Sequence, residues 1–166
     1  MAKTAVISGV GAGLGAALVR RFAAEEYRVA MFARSAGFLK ELAAEVEAEG
    51  HTAVAIPTDV SDPDQVKKGF EDVRRRLGPI DLLINHAGNA VWSRLEELTP
   101  DDFERSWRVC SYGAFLCSRE AAVDMRDWGG GAILFTGATS GVRGRAGAIA
   151  FSSAKFAVRG LAWSLA

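Results

Sequence analysis

Residues Ile7–Val19 read ISGVGAGLGAALV, and this stretch decides the fold. It passes from the run Lys3–Ser8 (KTAVIS) straight into a segment of helical period, with Gly9, Gly11, Gly13 and Gly15 at the turn. Glycine lets the chain bend tightly and come within contact distance of a ligand. A helix that begins at once then offers free N–H groups and a positive dipole end to a phosphate. A glycine motif alone is a weak signal. Strand, glycines and helix in register at the start of an alternating chain point to the pyrophosphate of a dinucleotide held at the helix start. The competing reading is a plain glycine-rich turn.

Downstream, short apolar runs alternate with longer segments of helical period: Arg28–Ala33 (RVAMFA), Thr52–Pro57 (TAVAIP), Ile80–Asn85 (IDLLIN) and Ala132–Thr136 (AILFT). Helices are expected over about Leu14–Glu26, Ala36–Glu49, Asp64–Leu77, Asp101–Arg126 and from Ser152 to the end. The fourth has a clear start, because Thr99 supplies a capping hydroxyl, Pro100 suits the first helical position and acids follow. This alternation predicts an α/β protein built on a doubly wound parallel sheet, the three-layer Rossmann fold, with strand order 3-2-1-4-5.

At 166 residues the chain is long enough for one domain with a real core and short for two, so residues 1–166 are read as a single domain. Twenty basic and twenty acidic residues cancel, which argues against nucleic acid and anionic membranes as partners. The acidic run ELAAEVEAE and the basic VRRRL fall on amphipathic helices, where charges normally cover the solvent face. Apolar runs break before the roughly 18 to 20 residues a membrane span needs, so a cytoplasmic protein is expected. Cys110 and Cys117 fall seven apart in one expected helix, about 10 Å along its axis and too far to bridge. Two thiols suit a reducing compartment. No metal site is expected. The ending RGLAWSLA stops in mid-helix with no glycine, proline or polar tail, so the chain is expected to be C-terminally incomplete.

An acid at the end of the second strand would bind the ribose 2′-hydroxyl of NAD, whereas a cation favours the 2′-phosphate of NADP. This chain reads MFARS, with Ala33 where the acid would stand and Arg34 beside it. NADP(H) is therefore expected over NAD(H); the alternative is that Arg34 belongs to an ordinary solvent-exposed loop.

These residues resemble the classical short-chain dehydrogenase/reductase family over nearly the whole chain. Ser8-Gly9-x-x-x-Gly13-Leu14-Gly15 is similar to its TGxxxGxG pattern, Asp59-Val60 in TDVSD to the pair bordering the adenine, and Asn85-His86-Ala87-Gly88 to NNAG. His86 fills a position that is structural in the family. The resemblance implies cofactor binding by Ser8, Gly9, Gly13, Leu14, Gly15, Arg34, Asp59, Val60, Asn85, Ala87, Gly88 and Lys155. It also implies a substrate loop and further strands beyond the fifth.

The family's last helix carries Tyr-x-x-x-Lys, in which the lysine holds the nicotinamide ribose and lowers the pKa of the tyrosine that transfers the proton. Here the segment is Phe151-Ser152-Ser153-Ala154-Lys155. The family's serine position is Ala138 and its asparagine position is Cys110, so of the catalytic residues only Lys155 remains. A benzene ring has no proton to give, and general acid–base catalysis typically supplies about 10²–10⁴ in rate. Thr136 and Ser140 would flank the missing serine hydroxyl if the chain there stays extended. Ser152, Ser153 and Tyr112 are further hydroxyls nearby in sequence, and Arg143 and Arg145 lie in the loop where an anionic substrate could be held or could simply be solvent-exposed.

The resemblance thus implies an NADP(H)-dependent oxidoreductase acting on a carbonyl or alcohol through a degraded tetrad. The alternative is a catalytically weak dinucleotide-binding sensor or partner subunit. A homo-oligomer is expected, since family members commonly pair through the helices that start here near Asp101 and Ser152, with Trp107, Phe115 and Trp163 available as apolar contacts.

Overall fold

The computed structural model describes residues 2–166. Its strands are β1 (Thr4–Ser8), β2 (Arg28–Ala33), β3 (Ala53–Pro57), β4 (Leu82–Asn85) and β5 (Ala132–Phe135). They form one sheet of order β3-β2-β1-β4-β5, and every pairing is parallel. The doubly wound α/β architecture read from the sequence is therefore the one observed.

Strand periodicity splits the core into two layers. Ala5 and Ile7 of β1, with Val29 and Met31 of β2, face helices α1 (Leu14–Ala24) and α2 (Ala36–Ala48). Val6, Ala30 and Phe32 face the opposite layer, formed by α3 (Pro63–Leu77) and α5 (Gly113–Asp127). Phe32 and Phe70 meet there edge to face with ring centroids 5.3 Å apart. Each fully buried side chain of this size stabilises the fold by about 1.5–3 kcal/mol.

Local signals explain most boundaries. α3 begins one residue before its expected start because Asp62 accepts from the N–H groups of Asp64 and Gln65, leaving Pro63 at the first helical position. α1 ends at Ala24, two residues early, where Glu26 takes φ +62 to turn the chain into β2. At α4 (Pro100–Trp107), Thr99 accepts from the Asp102 N–H, the start expected from the sequence.

Three expectations need correction. The single helix Asp101–Arg126 is two helices, α4 and α5, joined by a π-helical turn at Arg108–Tyr112. The extra residue of that turn re-aims the helix where it passes Val60: a Cβ on Gly113 would lie 2.8 Å from the Val60 side chain and 2.9 Å from its carbonyl oxygen. The last helix, α6 (Ile149–Ser164), begins three residues before Ser152, whose N–H already donates to the Ala148 carbonyl at 2.7 Å. The segment after β5 does not stay extended through Ser140. Thr139–Gly141 form a 3₁₀ turn pressed on α6, so close that a Cβ on Gly141 would meet the Lys155 carbonyl at 3.0 Å.

Among the described residues no helix is long and apolar enough to cross a membrane. Both cysteines are buried and free. Burial, aided by Glu120, pushes the Cys117 thiol up to about 12.

Candidate active site

A cleft of about 830 Å³ opens at the carboxyl ends of β1, β2, β4 and β5, within the size range of small-molecule and cofactor sites. Its floor is the glycine turn. Gly9 and Val10 donate to the Phe32 carbonyl at 2.8 and 3.0 Å, which ties the turn to β2. Gly9 has φ +85, and a Cβ there would lie 2.4 Å from the Cα of Ala87. The turn after β1 and the NHAG segment after β4 therefore touch backbone to backbone. Gly15 is similarly pressed on the Gly9 carbonyl, whereas Cβ atoms on Gly11 and Gly13 would meet nothing. Gly13 caps α1 with no side-chain hydrogen bond. The first-turn N–H groups thus have no side-chain acceptor beside an open space, which suits a phosphate.

Gly9, Arg34, Asp59, Val60, Ala87, Gly88, Phe151 and Lys155 line this cleft together. Asp59 is fixed there by accepting from the Ser61 N–H and hydroxyl at 2.9 and 2.7 Å. Arg34 is exposed and has no ion pair among the described residues. Ser8, Gly13, Leu14, Gly15 and Asn85 stand behind or beside the lining. The buried Ser8 hydroxyl donates to the Ile84 carbonyl at 3.4 Å, and the Asn85 amide turns away to donate to Ser118 of α5 at 3.0 Å.

Of the four positions expected from the resemblance to form a tetrad, Cys110, Phe151 and Lys155 gather at one end. Lys155, 6% exposed, donates from Nζ to the Thr136 carbonyl at 2.7 Å and lies 5.7 Å from the centroid of the Phe151 ring. Gly88 sits between Lys155 and Cys110: a Cβ on it would be 3.8 Å from Nζ and 3.6 Å from Sγ. Cys110, buried in the π-helical turn, points its thiol at the Asn89 backbone and side-chain oxygens, each at 3.8 Å. Burial pulls the Lys155 ammonium below its ordinary value of 10.5, opposed by Cys110. Ala138 lies outside the lining, just before the 3₁₀ turn.

His86 also lines the cleft, and its Nδ1 lies 3.0 Å from the Thr136 hydroxyl. Burial, and then the Lys155 charge, lower its pKa from the ordinary 6.5. The other hydroxyls are elsewhere. Tyr112 stacks between Trp107 and Phe115, and the buried Ser152 hydroxyl has no partner among the described residues. Arg143 and Arg145 lie outside the cleft, Arg145 stacking 4.7 Å above the Trp92 ring. Residues that sequence reasoning passed over include Ser35, Thr58, Asn89, Arg105 and Val109. Ser35 and Asn89 directly follow motif positions and were within reach; Arg105 and Val109 enter from α4 and the π-helical turn, with no local signal.

Residues 3–166 match the family model for short chain dehydrogenases. The chain belongs to the short-chain dehydrogenase family. A versicolorin reductase of Emericella nidulans is 32% identical over 143 residues, 86% of this chain and 54% of that protein. A short-chain dehydrogenase from Rhodopseudomonas palustris superposes with TM-score 0.94 at 34% identity, covering 99% of this chain and 77% of that one. An alcohol dehydrogenase from Thermococcus sibiricus, solved with 5-hydroxy-NADP, gives TM-score 0.94 at 29% identity, covering 98% and 69%. The chain spans about half the length of the curated relatives it matches. As a short-chain dehydrogenase it carries the glycine turn Gly9–Gly15 after its first strand and Phe151 and Lys155 one turn apart in its last helix.

Proposed function

We propose that this chain is an NADP(H)-binding oxidoreductase that interconverts a small-molecule carbonyl and alcohol without the family's phenol and serine hydroxyl. The observation that carries the reading is Lys155, which remains buried at the end of the cleft while the ring beside it has lost its hydroxyl. Of its three N–H donors the ammonium has one given to the Thr136 carbonyl, which leaves donors for a cofactor ribose.

The residues present fit the cofactor. Gly9, Gly13, Leu14 and Gly15 supply backbone at the pyrophosphate, Ser8 and Asn85 brace that backbone, and Asp59 and Val60 border the adenine. Ala87, Gly88 and Lys155 hold the ribose near the nicotinamide. Arg34, with no carboxylate partner among the described residues, supports a 2′-phosphate and hence NADP(H). The nicotinamide, when bound, supplies or accepts hydride. Lys155 holds the ribose hydroxyls through its remaining N–H donors, and Phe151 excludes water from the reacting end.

The departures at Phe151, Ala138 and Cys110 favour a second reading, a weakly catalytic sensor or partner subunit. Calorimetry with NADPH and NADH, followed by a turnover screen against ketones, aldehydes and alcohols, decides between the two. Tight binding with no turnover would select the second reading, and no binding would remove both. A cytoplasmic location is in keeping with two free thiols. We also propose a homo-oligomer through α4, α5 and α6, where Trp107, Phe115 and Trp163 are exposed, the last at 69%. Sedimentation showing only monomer at micromolar concentration would refute it.

A further inference from the structure

The oxidoreductase reading leaves one chemical step unprovided, the proton that must reach the substrate oxygen. Ser140 is withdrawn into the 3₁₀ turn and does not line the cleft, and Tyr112 is stacked in an aromatic ladder. Ser152 is buried away from the lining, and Phe151 has no exchangeable proton. Thr136 alone combines a hydroxyl, a place in the cleft and a contact to a titratable group.

We propose that Thr136 and His86 form a proton-delivery pair, the Thr136 hydroxyl giving its proton to the substrate oxygen and His86 replenishing it. Three observations carry this assignment. Asn85 pairs with Phe135 in the β4–β5 register, so His86 and Thr136 are the first residues beyond two neighbouring strands and emerge side by side at the carboxyl edge. Their side chains are in hydrogen-bond contact at 3.0 Å, and both line the cleft. The Thr136 carbonyl is held by Lys155 at 2.7 Å, which ties this strand end to the ammonium that the oxidoreductase reading assigns to the cofactor ribose.

The chemistry follows from the donor inventory. A charged imidazole has N–H donors on both nitrogens, so Nδ1 must donate to the Thr136 oxygen, and the Thr136 O–H is then free to point at an acceptor in the cleft. On reduction the carbonyl carbon takes the hydride, with its two electrons, that the reduced nicotinamide supplies. The carbonyl oxygen takes the proton from Thr136 Oγ1, and Oγ1 takes the proton from His86 Nδ1. His86 is left neutral, carrying Nε2–H, and regains a proton from water. The carbonyl has gained two electrons and one proton beyond its hydride hydrogen, and the nicotinamide is oxidised by the same two electrons. An aliphatic hydroxyl is too weak an acid to do this alone; as a relay it never carries the charge, because the imidazolium behind it loses the proton.

The groups acting on His86 are Thr136, just after β5, and Lys155 on α6, while Arg34, Asp59 and Arg105 share the same cleft. Burial, and then the Lys155 charge, make the imidazolium a stronger acid, held by a smaller fraction of molecules at neutral pH.

This inference rests on the oxidoreductase reading, and the experiment separates the two. Thr136→Val is isosteric, Thr136→Ser keeps the hydroxyl, and His86→Asn removes the titrating group. Binding of NADPH, turnover with a carbonyl that the unchanged chain reduces, and the NMR titration of His86 in the cofactor-free chain are each measured. His51→Gln identifies which imidazole signal is which, since the chain has two histidines. The pair predicts that Thr136→Val and His86→Asn each lower kcat about 100-fold or more, with NADPH affinity changed less than about fivefold. It further predicts that Thr136→Ser restores most of the rate and that Thr136→Val moves the His86 titration midpoint. Turnover that survives both Thr136→Val and His86→Asn would overturn the pair and leave the oxidoreductase reading standing. An unchanged chain that binds NADPH and reduces no carbonyl would overturn both, and an unmoved His86 midpoint in Thr136→Val would overturn the pair whatever the turnover.

Discussion

The Lys155 ammonium lies over the face of the Phe151 ring, 5.7 Å from its centroid. The pair is one helical turn apart on α6, so the i, i+4 spacing places the ammonium beside a benzene ring. The ring's negative face partly compensates the buried charge, and on the oxidoreductase reading proposed above this pair is a proton-donor site without its donor.

Restoring the phenol should therefore restore the chemistry. Phe151→Tyr leaves the ring unchanged and adds an acid beside a cation that lowers its pKa, and Ala138→Ser adds a carbonyl-orienting hydroxyl. The double variant is expected to raise NADPH-dependent carbonyl reduction by at least about tenfold, read as the loss of reduced-nicotinamide absorbance. Its rate should also hold to higher pH than that of the unchanged chain. A rate unchanged or lowered across the pH range would mean that the Phe151 ring does not stand where the reacting oxygen binds.

Arg34→Ala tests cofactor preference. Losing a cation at a 2′-phosphate should weaken NADPH binding by about tenfold, in the range of 1–2 kcal/mol for a charge-assisted contact, while NADH affinity barely moves. Calorimetry with both cofactors reads the difference. Equal losses for the two would place Arg34 away from the 2′ position.

Gly9→Ala tests the turn itself. With φ +85 and a Cβ 2.4 Å from the Ala87 Cα, the substitution must push apart two backbones, and no flexible side chain is available to give way. We expect a loss of about 2–4 kcal/mol in urea unfolding, together with loss of cofactor binding. Gly13→Ala, with nothing near its Cβ, should leave stability within about 1 kcal/mol and act on cofactor binding alone.

His86 sets a pH dependence of stability with a definite sign. Its folded pKa lies below the ordinary 6.5 because burial and then Lys155 disfavour the charged form. Between the two values the unfolded chain binds more protons, so stability is lost as pH falls from about 6.5 toward the folded value. Urea unfolding at pH 7.5 and at 5.5 should show a smaller acid loss for His86→Asn than for the unchanged chain. An equal or larger loss in the variant would contradict the assigned direction.

Strands, most helices and the strand order could be read from the chain because they rest on local periodicity and on turn residues within a few positions of one another. Gly9, Asp59 and Lys155 could be named as candidates for the same reason, since each sits inside a short motif, and all three line the cleft. The π-helical turn at Arg108–Tyr112 could not, because it leads into Gly113, whose close neighbour is Val60, more than fifty residues away in sequence. Nor could the 3₁₀ turn that removes Ser140, which is shaped by the Lys155 backbone.

From residue pattern alone came the α/β alternation and the glycine turn between the first strand and helix, both properties of neighbours along the chain; the reading of a tetrad without phenol and serine came from the resemblance. The company His86 keeps came from folding. In the motif it fills a structural position, and in the folded chain it stands against a threonine fifty residues away beside the ammonium of Lys155. That difference has a physical cause: parallel register, set by two buried faces of a sheet, decides which strand ends meet, and a polar side chain at such an end takes its chemistry from whatever the register sets beside it.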